Sequence, residues 1–187
     1  MPVTKIDKNE LLRICWQVFN KNGYHATSIS MLAEATGLGK SGLLHHYPSK
    51  VELMAAVLEF SKSALEEYVL SVSSEALPPE QRLEKLLRRQ NRLAKMDRRG
   101  CFFANTALET GRDEKFRGIV SDAFQSWENA VAGLLSFSMN SELAKEKAHQ
   151  MLLEYEGSVM FYKFTGDEQH LERYVEKTIR EFKLLTQ

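Results

Sequence analysis

The sequence predicts an all-α chain of about nine helices, with a short N-terminal head followed by a larger helical body. Three observations carry this. Apolar residues recur at three- and four-residue spacing in one segment after another, the period of a helix with one buried face. No stretch alternates apolar and polar residues as a half-buried strand would. Helix-opening residues (Asp7, Ser28, Ser49, Asp113, Ser141) and breakers (Gly23, Gly37, Gly111, Gly166) punctuate those segments. With 187 residues, 43% of them apolar, the chain can bury a core as one large or two small domains. The expected boundary follows residue 48, giving a head of 1–48 and a body of 49–187.

In order, Asp7 and Glu10 open a helix whose apolar stripe is Leu11, Leu12, Cys15, Val18 and Phe19, ending at Asn22-Gly23. Ser28 caps a second, with Ile29, Leu32 and Ala33 on one face. Gly37-Leu38-Gly39 is a turn with Leu38 as its apolar plug, and a third short helix covers Lys40 to Tyr47. Ser49 and Glu52 form a capping box for a long helix through Leu65 and Tyr68, which fades in the serine-rich stretch 71–74. Pro78-Pro79 starts a helix whose buried side is Leu83, Leu86, Leu87, Gln90 and Leu93. A break over 97–100 precedes a short, largely apolar helix from Cys101 to Glu109 that should be buried on most sides. Asp113 caps the next, Phe116 to Leu135. Ser141 opens another that runs to Phe164 with Gly157 inside it, and the last holds Leu171, Tyr174, Val175, Ile179, Phe182 and Leu185.

The second and third helices have the proportions of a helix-turn-helix DNA reader. Leu43 and Tyr47 lie four apart and can point inward. That leaves Lys40, Ser41, Leu44, His45 and His46 outward, a set of cation, hydroxyl, apolar tip and ring donors suited to phosphates and base edges. Two rival readings fail. Gly39-Lys40-Ser41 resembles the tail of a phosphate-binding loop, but that motif needs Gly where residue 34 is Glu, and a strand before it. Adjacent His45 and His46 diverge by about 100 degrees on a helix and cannot share one metal ion.

The residues Phe19, Gly23-Tyr24, Ala26-Thr27-Ser28, Ala33, Gly37, Lys40, Leu43, His46 and Pro48-Ser49-Lys50 resemble the N-terminal signature of the TetR family of bacterial transcriptional regulators. The resemblance implies a DNA-binding domain followed by a ligand-binding and dimerisation domain. It places Thr27, Ser28, Lys40, Ser41, Leu44, His45, His46, Tyr47 and Lys50 against double-stranded operator DNA. Lys50 would then be a phosphate contact whose loss flattens the salt dependence by about one unit. Two positions depart from the family: Leu44 stands where a Tyr is usual, and Gly39 replaces the usual Ser cap. Gly157 in the penultimate helix resembles a Gly that the family buries in a four-helix dimer interface, which implies a homodimer through Tyr155, Gly157, Val159, Tyr174 and Ile179. A Gly tolerated on an intrachain contact is the alternative. The segment Arg99-Gly-Cys-Phe-Phe-Ala-Asn-Thr-Ala-Leu-Glu is similar to one branch of the family in which this helix lines the effector pocket. Cys101, Phe102, Asn105 and Glu109, with Trp127 and Met160, are the pocket residues it implies, although Asn105 and Glu109 can equally pair with a neighbouring helix.

Residues 1–50 carry six Lys/Arg against three acids, a net +3, which leaves 19 bases and 22 acids, a net −3, in the rest. A basic head on an acidic body suits a nucleic-acid module joined to something else. No apolar run approaches membrane-spanning length and no signal-type start is visible, so a cytoplasmic protein with no membrane partner is expected. Cys15 sits in an apolar stripe and Cys101 follows two arginines, which raises thiol-based sensing of electrophiles or oxidants at Cys101 as an alternative. No catalytic constellation, metal site or cofactor motif emerges, so an enzyme is not expected. The remaining rival is a helical protein-interaction adaptor.

Overall fold

The computed structural model describes residues 6–96, 98–111 and 113–185, and among them it contains nine α-helices, one 3-10 turn and no strand. They are α1 (Lys8–Asn22), α2 (Ile29–Thr36), α3 (Gly39–His46), α4 (Lys50–Tyr68), the 3-10 turn Leu70–Ser74, α5 (Pro79–Lys95), α6 (Phe102–Thr110), α7 (Glu114–Leu135), α8 (Ser141–Thr165) and α9 (Gln169–Leu185). Asp97, expected in the break before α6, lies outside the described residues.

The expected caps of α1 and α2 are made, whereas α8 is capped by Asn140, one residue before the expected Ser141. Asp7 accepts from the amides of Asn9 and Glu10 at the start of α1. Ser28 Oγ accepts from the Met31 amide at 3.2 Å, and Gly37 ends α2 at a left-handed φ of +70°. Loss of a Ser N-cap costs about 1 kcal/mol. Ser28→Ala should therefore lower the thermal midpoint of the DNA-free chain by about 2–4 °C in calorimetry. An unmoved midpoint would remove the cap from the account of α2.

Three expectations change. Gly39 is not the cap of α3 but its first residue, held at φ +68°, with Leu38 before it and no side-chain cap. The serine-rich stretch after α4 does not fade into linker, because Val69 and Val72, both fully buried, wind it into a 3-10 turn against the core. And α6 is buried on one face only. Thr106 and Thr110 take inner positions because their hydroxyls donate back to the carbonyls of Phe102 and Thr106, which leaves Leu108 outside at 87% exposure.

Contacts divide the chain into two compact units whose limits differ from a cut after residue 48. The first is Met1–Ser63 with Phe102–Val120, and the second is Ala64–Cys101 with Ser121–Gln187. In the first, Leu11, Leu12, Cys15 and Phe19 of α1, Leu32 and Ala33 of α2, Leu43 of α3 and Leu53, Met54, Val57 and Leu58 of α4 are buried. The same unit takes in α6 and the start of α7: Trp16 meets Phe102 edge-on at 6.2 Å, and Tyr24 meets Phe116 at 5.0 Å. In the second, α5, α8, α9 and the rest of α7 close one core that includes Leu83, Leu86, Leu87, Trp127, Val131, Met151, Tyr155, Val159, Tyr174 and Phe182.

Candidate nucleic-acid interface

The sequence of α3 sorts its side chains cleanly. Leu43 is fully buried, whereas Lys40, Ser41, Leu44, His45 and His46 are exposed along the opposite side. The rings of His45 and His46 stand 6.1 Å apart with planes 71° apart, so they diverge into solvent. Tyr47, expected both to point inward and to reach DNA, is half-buried at the end of α3, and burial pushes its phenol up from the ordinary range, with the Cys15 thiol adding to the shift. Cys15 is itself sealed in the core, its thiol pushed up to about 12 by burial, which suits a packing role.

Two expected DNA contacts are turned inward instead. Thr27 is 1% exposed, and its hydroxyl donates to the Gly23 carbonyl at 2.6 Å, closing the turn between α1 and α2. Lys50 Nζ donates to the carbonyls of Tyr24 and Thr27, each at 3.0 Å, and lies 4.3 Å from the centre of the Tyr24 ring. The reason is local. The turn Gly23 to Thr27 exposes carbonyls that no helix satisfies, and a lysine on the first turn of α4 is the donor that reaches them. Ser28, although exposed, directs its hydroxyl to the α2 amide.

The six expected effector residues do not come together in one unit. Phe102, Asn105 and Glu109 belong to the first, and Cys101, Trp127 and Met160 to the second. Met160 is 58% exposed and faces outward. Trp127 is buried, its Nε1–H donating to Gln90 Oε1 at 2.7 Å, and the Tyr155 hydroxyl donates to the Gln90 carbonyl at 3.3 Å. Gln90 is thus the polar node of the second core. The sequence placed it on the buried side of α5 without marking it, and a lone Gln among leucines was the available signal. Asn91 beside it is buried too, its amide donating to the Leu171 carbonyl. Cys101 hydrogen-bonds with Glu156, whose carboxyl burial pushes up to about 7, partly offset by that bond with the thiol. Elsewhere in the second unit an open groove of about 480 Å³ lies between α5 and α9, with Arg88, Val175, Ile179 and Arg180 among its walls.

The dimer residues are corrected in the same way. Tyr155, Val159, Tyr174 and Ile179 are all buried inside their own chain, so they cannot form a surface for another. The other side of α8 carries Leu153, Gly157, Met160, Phe161 and Phe164, a stripe at i, i+4, i+7, i+8 and i+11. Leu153 is 61% and Phe164 86% exposed. A Cβ built on Gly157 would meet nothing within 4 Å, so no packing within the chain explains the glycine.

The family model described as "Bacterial regulatory proteins, tetR family" matches residues 11–57, and that described as "Transcriptional regulator LmrA/YxaF-like, C-terminal domain" matches residues 80–177. A protein of Lactococcus lactis subsp. lactis named as an uncharacterized HTH-type transcriptional regulator in the lacX 3' region is 27% identical over 167 residues, 86% of this chain and 85% of that relative. Among solved structures, a TetR transcriptional regulator from Legionella pneumophila superposes with a TM-score of 0.85 at 20% identity, covering 95% of this chain and 98% of that one. AibR, solved in complex with isovaleryl coenzyme A and operator DNA, superposes with a TM-score of 0.66 at 18% identity over 90% of this chain and 94% of its own. Among the described residues, no helix is long and apolar enough to cross a membrane.

Proposed function

Because the chain belongs to the TetR family of bacterial transcriptional regulators, we propose that it is a homodimeric repressor that binds a palindromic operator and is released by a small-molecule effector. The observation that carries the DNA reading is the exposed side of α3, where Lys40, Ser41, Leu44, His45 and His46 stand together over a buried Leu43. This is a short rod with one anchored side and one side rich in donors, the form that enters a major groove. One such rod reads few bases. Two, about 34 Å apart on a two-fold axis, read successive half-sites.

The apolar stripe of α8 supports the dimer. An exposed run of Leu, Met and two Phe around an unpacked Gly is what a helix keeps for a partner helix, and the partner proposed is the same face of a second copy. This reading keeps α8 and Gly157 and moves the contact from the buried Tyr155 and Val159 to the exposed stripe. Lys40 is the phosphate-facing cation of the reader, so Lys40→Ala should reduce the slope of log affinity against log salt by about one, with little change in the free chain's stability. An unchanged slope would take Lys40 off the contact set.

Effector recognition is assigned to the second unit, where Gln90, Asn91 and Thr178 are buried polar residues in a largely apolar interior. AibR, which takes an acyl-coenzyme A together with operator DNA, is the precedent among similar folds for the paired occupancy. An effector preferring the off-DNA state by about 3 kcal/mol would lower operator affinity on the order of a hundredfold. The test is a thermal-shift screen of metabolites followed by release of the protein from an operator duplex. A compound that raises the midpoint and leaves operator affinity unmoved would sink the effector reading.

A further inference from the structure

We propose that Glu109, at the C-terminal end of α6, is a positioning residue of the DNA reader: it clamps the Gly23–His25 turn that leads into α2. This rests on the DNA-binding reading above. It moves Glu109 out of the effector pocket where sequence resemblance placed it.

The clamp is reciprocal. The His25 amide donates to Glu109 Oε2 at 3.3 Å, and His25 Nε2 lies 2.9 Å from the Glu109 carbonyl oxygen, a geometry in which the ring N–H donates. That carbonyl belongs to the last turn of α6, where carbonyls lack partners within the helix, so the imidazole satisfies one of them. The carboxylate itself is in an unfavourable place, since a negative charge near a helix C-terminus opposes the macrodipole. A donor drawn from 84 residues away in the sequence offsets that cost.

Gly23 makes the approach possible. A Cβ on Gly23 would stand 2.5 Å from Glu109 Oε1 and 2.8 Å from Oε2, so the carboxylate occupies the space that any side chain at position 23 would take. Gly23 also sits at φ +79°, a conformation that favours glycine. The glycine is thus required for its backbone angle, and any side chain there would displace the Glu109 carboxylate from its place beside the turn.

The rest of the turn is held by neighbours of the same unit. The Tyr24 ring packs against Phe116 of α7, and Lys50 ties the carbonyls of Tyr24 and Thr27. These contacts hold Tyr24 and Thr27, on either side of His25. Glu109 holds His25, three residues before the Ser28 cap that starts α2, and α2 packs on α3. A clamp there determines where the reading rod is presented without touching DNA.

The experiment compares Glu109→Ala and Glu109→Gln with the unaltered full chain by amide hydrogen exchange without DNA. It also measures affinity for a duplex that the unaltered chain selects from random-sequence DNA. With Ala, exchange of the His25 amide should accelerate about tenfold, the size of one charge-assisted hydrogen bond, while protection in α8 and α9 and the thermal midpoint stay put. Operator affinity should fall about five- to tenfold with an unchanged salt slope, because no phosphate contact is lost. Gln keeps an acceptor for the His25 amide and should recover most of both effects, which a general packing defect would not allow. The proposal is overturned if His25 exchange in the Ala variant stays within twofold of the unaltered chain, if Gln behaves like Ala, or if exchange accelerates while affinity does not move. Should the selection enrich no duplex, the DNA-binding reading fails, and the exchange comparison still decides whether the clamp exists.

Discussion

Met160→Glu is expected to yield a folded monomer that has lost most of its affinity for a palindromic operator. Met160 is 58% exposed in the single chain and lies in the middle of the Leu153, Gly157, Phe161, Phe164 stripe, so a carboxylate there stays hydrated in the monomer and leaves the fold intact. In a two-fold interface built on that stripe, two carboxylates would be taken out of water near each other, at several kcal/mol per ion. Even about 3 kcal/mol raises the dimer dissociation constant on the order of a hundredfold. Operator affinity should fall with it, because the second half-site then binds at bulk concentration and no longer at the high effective concentration a linked partner supplies. Sedimentation velocity and circular dichroism together decide this: the expected result is full helicity at monomer mass. A variant that still sediments as a dimer would place the interface elsewhere. The neighbouring change Tyr155→Glu makes the contrast, since Tyr155 is buried inside the chain and a charge there should unfold the second unit.

That contrast also shows what the sequence could and could not reveal. Helical spacing identified α8 and α9 as amphipathic, and Gly157 marked the helix that lacks a partner on one side. Spacing gives two stripes on such a helix, though, and tertiary burial decides which of them is inside. Resemblance to the family points to Tyr155 and Val159 beside the glycine as interface residues, and the helical pattern counts Phe164 with the apolar stripe of its helix, whereas the structure buries Tyr155 and Val159 and exposes Phe164. On α3 the same reasoning worked, because only Leu43 and Tyr47 were apolar enough to anchor so short a rod and the exposed residues were polar apart from Leu44. The polar residues of α6 were the hardest. Asn105 and Glu109 share a helix face whatever they touch, and nothing within eleven residues of sequence tells that Glu109 meets an amide at position 25. Lys50 misled for a related reason: a cation on a helix N-terminal turn beside a DNA reader suits a phosphate, and only the carbonyls of a turn more than twenty residues earlier show what it holds.

Lys50→Ala is therefore expected to act on the free protein first and on DNA through it. The ammonium makes two hydrogen bonds to backbone carbonyls and one cation–π contact, and bonds to a charged group contribute about 1.5–3 kcal/mol when the partner is left unsatisfied. Because this site is only partly buried and water can replace some of the loss, about 2 kcal/mol is the expected destabilisation of the first unit. Protection of amides in the Tyr24 to Thr27 turn should fall accordingly in hydrogen exchange. Operator affinity should then drop for all sequences alike, since the start of α2 is loosened and no base contact is removed. The salt slope separates this from a phosphate contact. Lys40→Ala should lower it by about one unit, whereas Lys50→Ala should leave it unchanged despite the weaker binding. Lys50→Met sharpens the comparison by keeping the aliphatic stem over Tyr24 while removing the donor. If Met restores stability, packing of the stem and not the two carbonyl bonds is what matters. If Lys50→Ala flattens the slope by one and leaves the turn protected, Lys50 leaves Tyr24 for a phosphate when DNA binds, and its place in the free chain is a resting position.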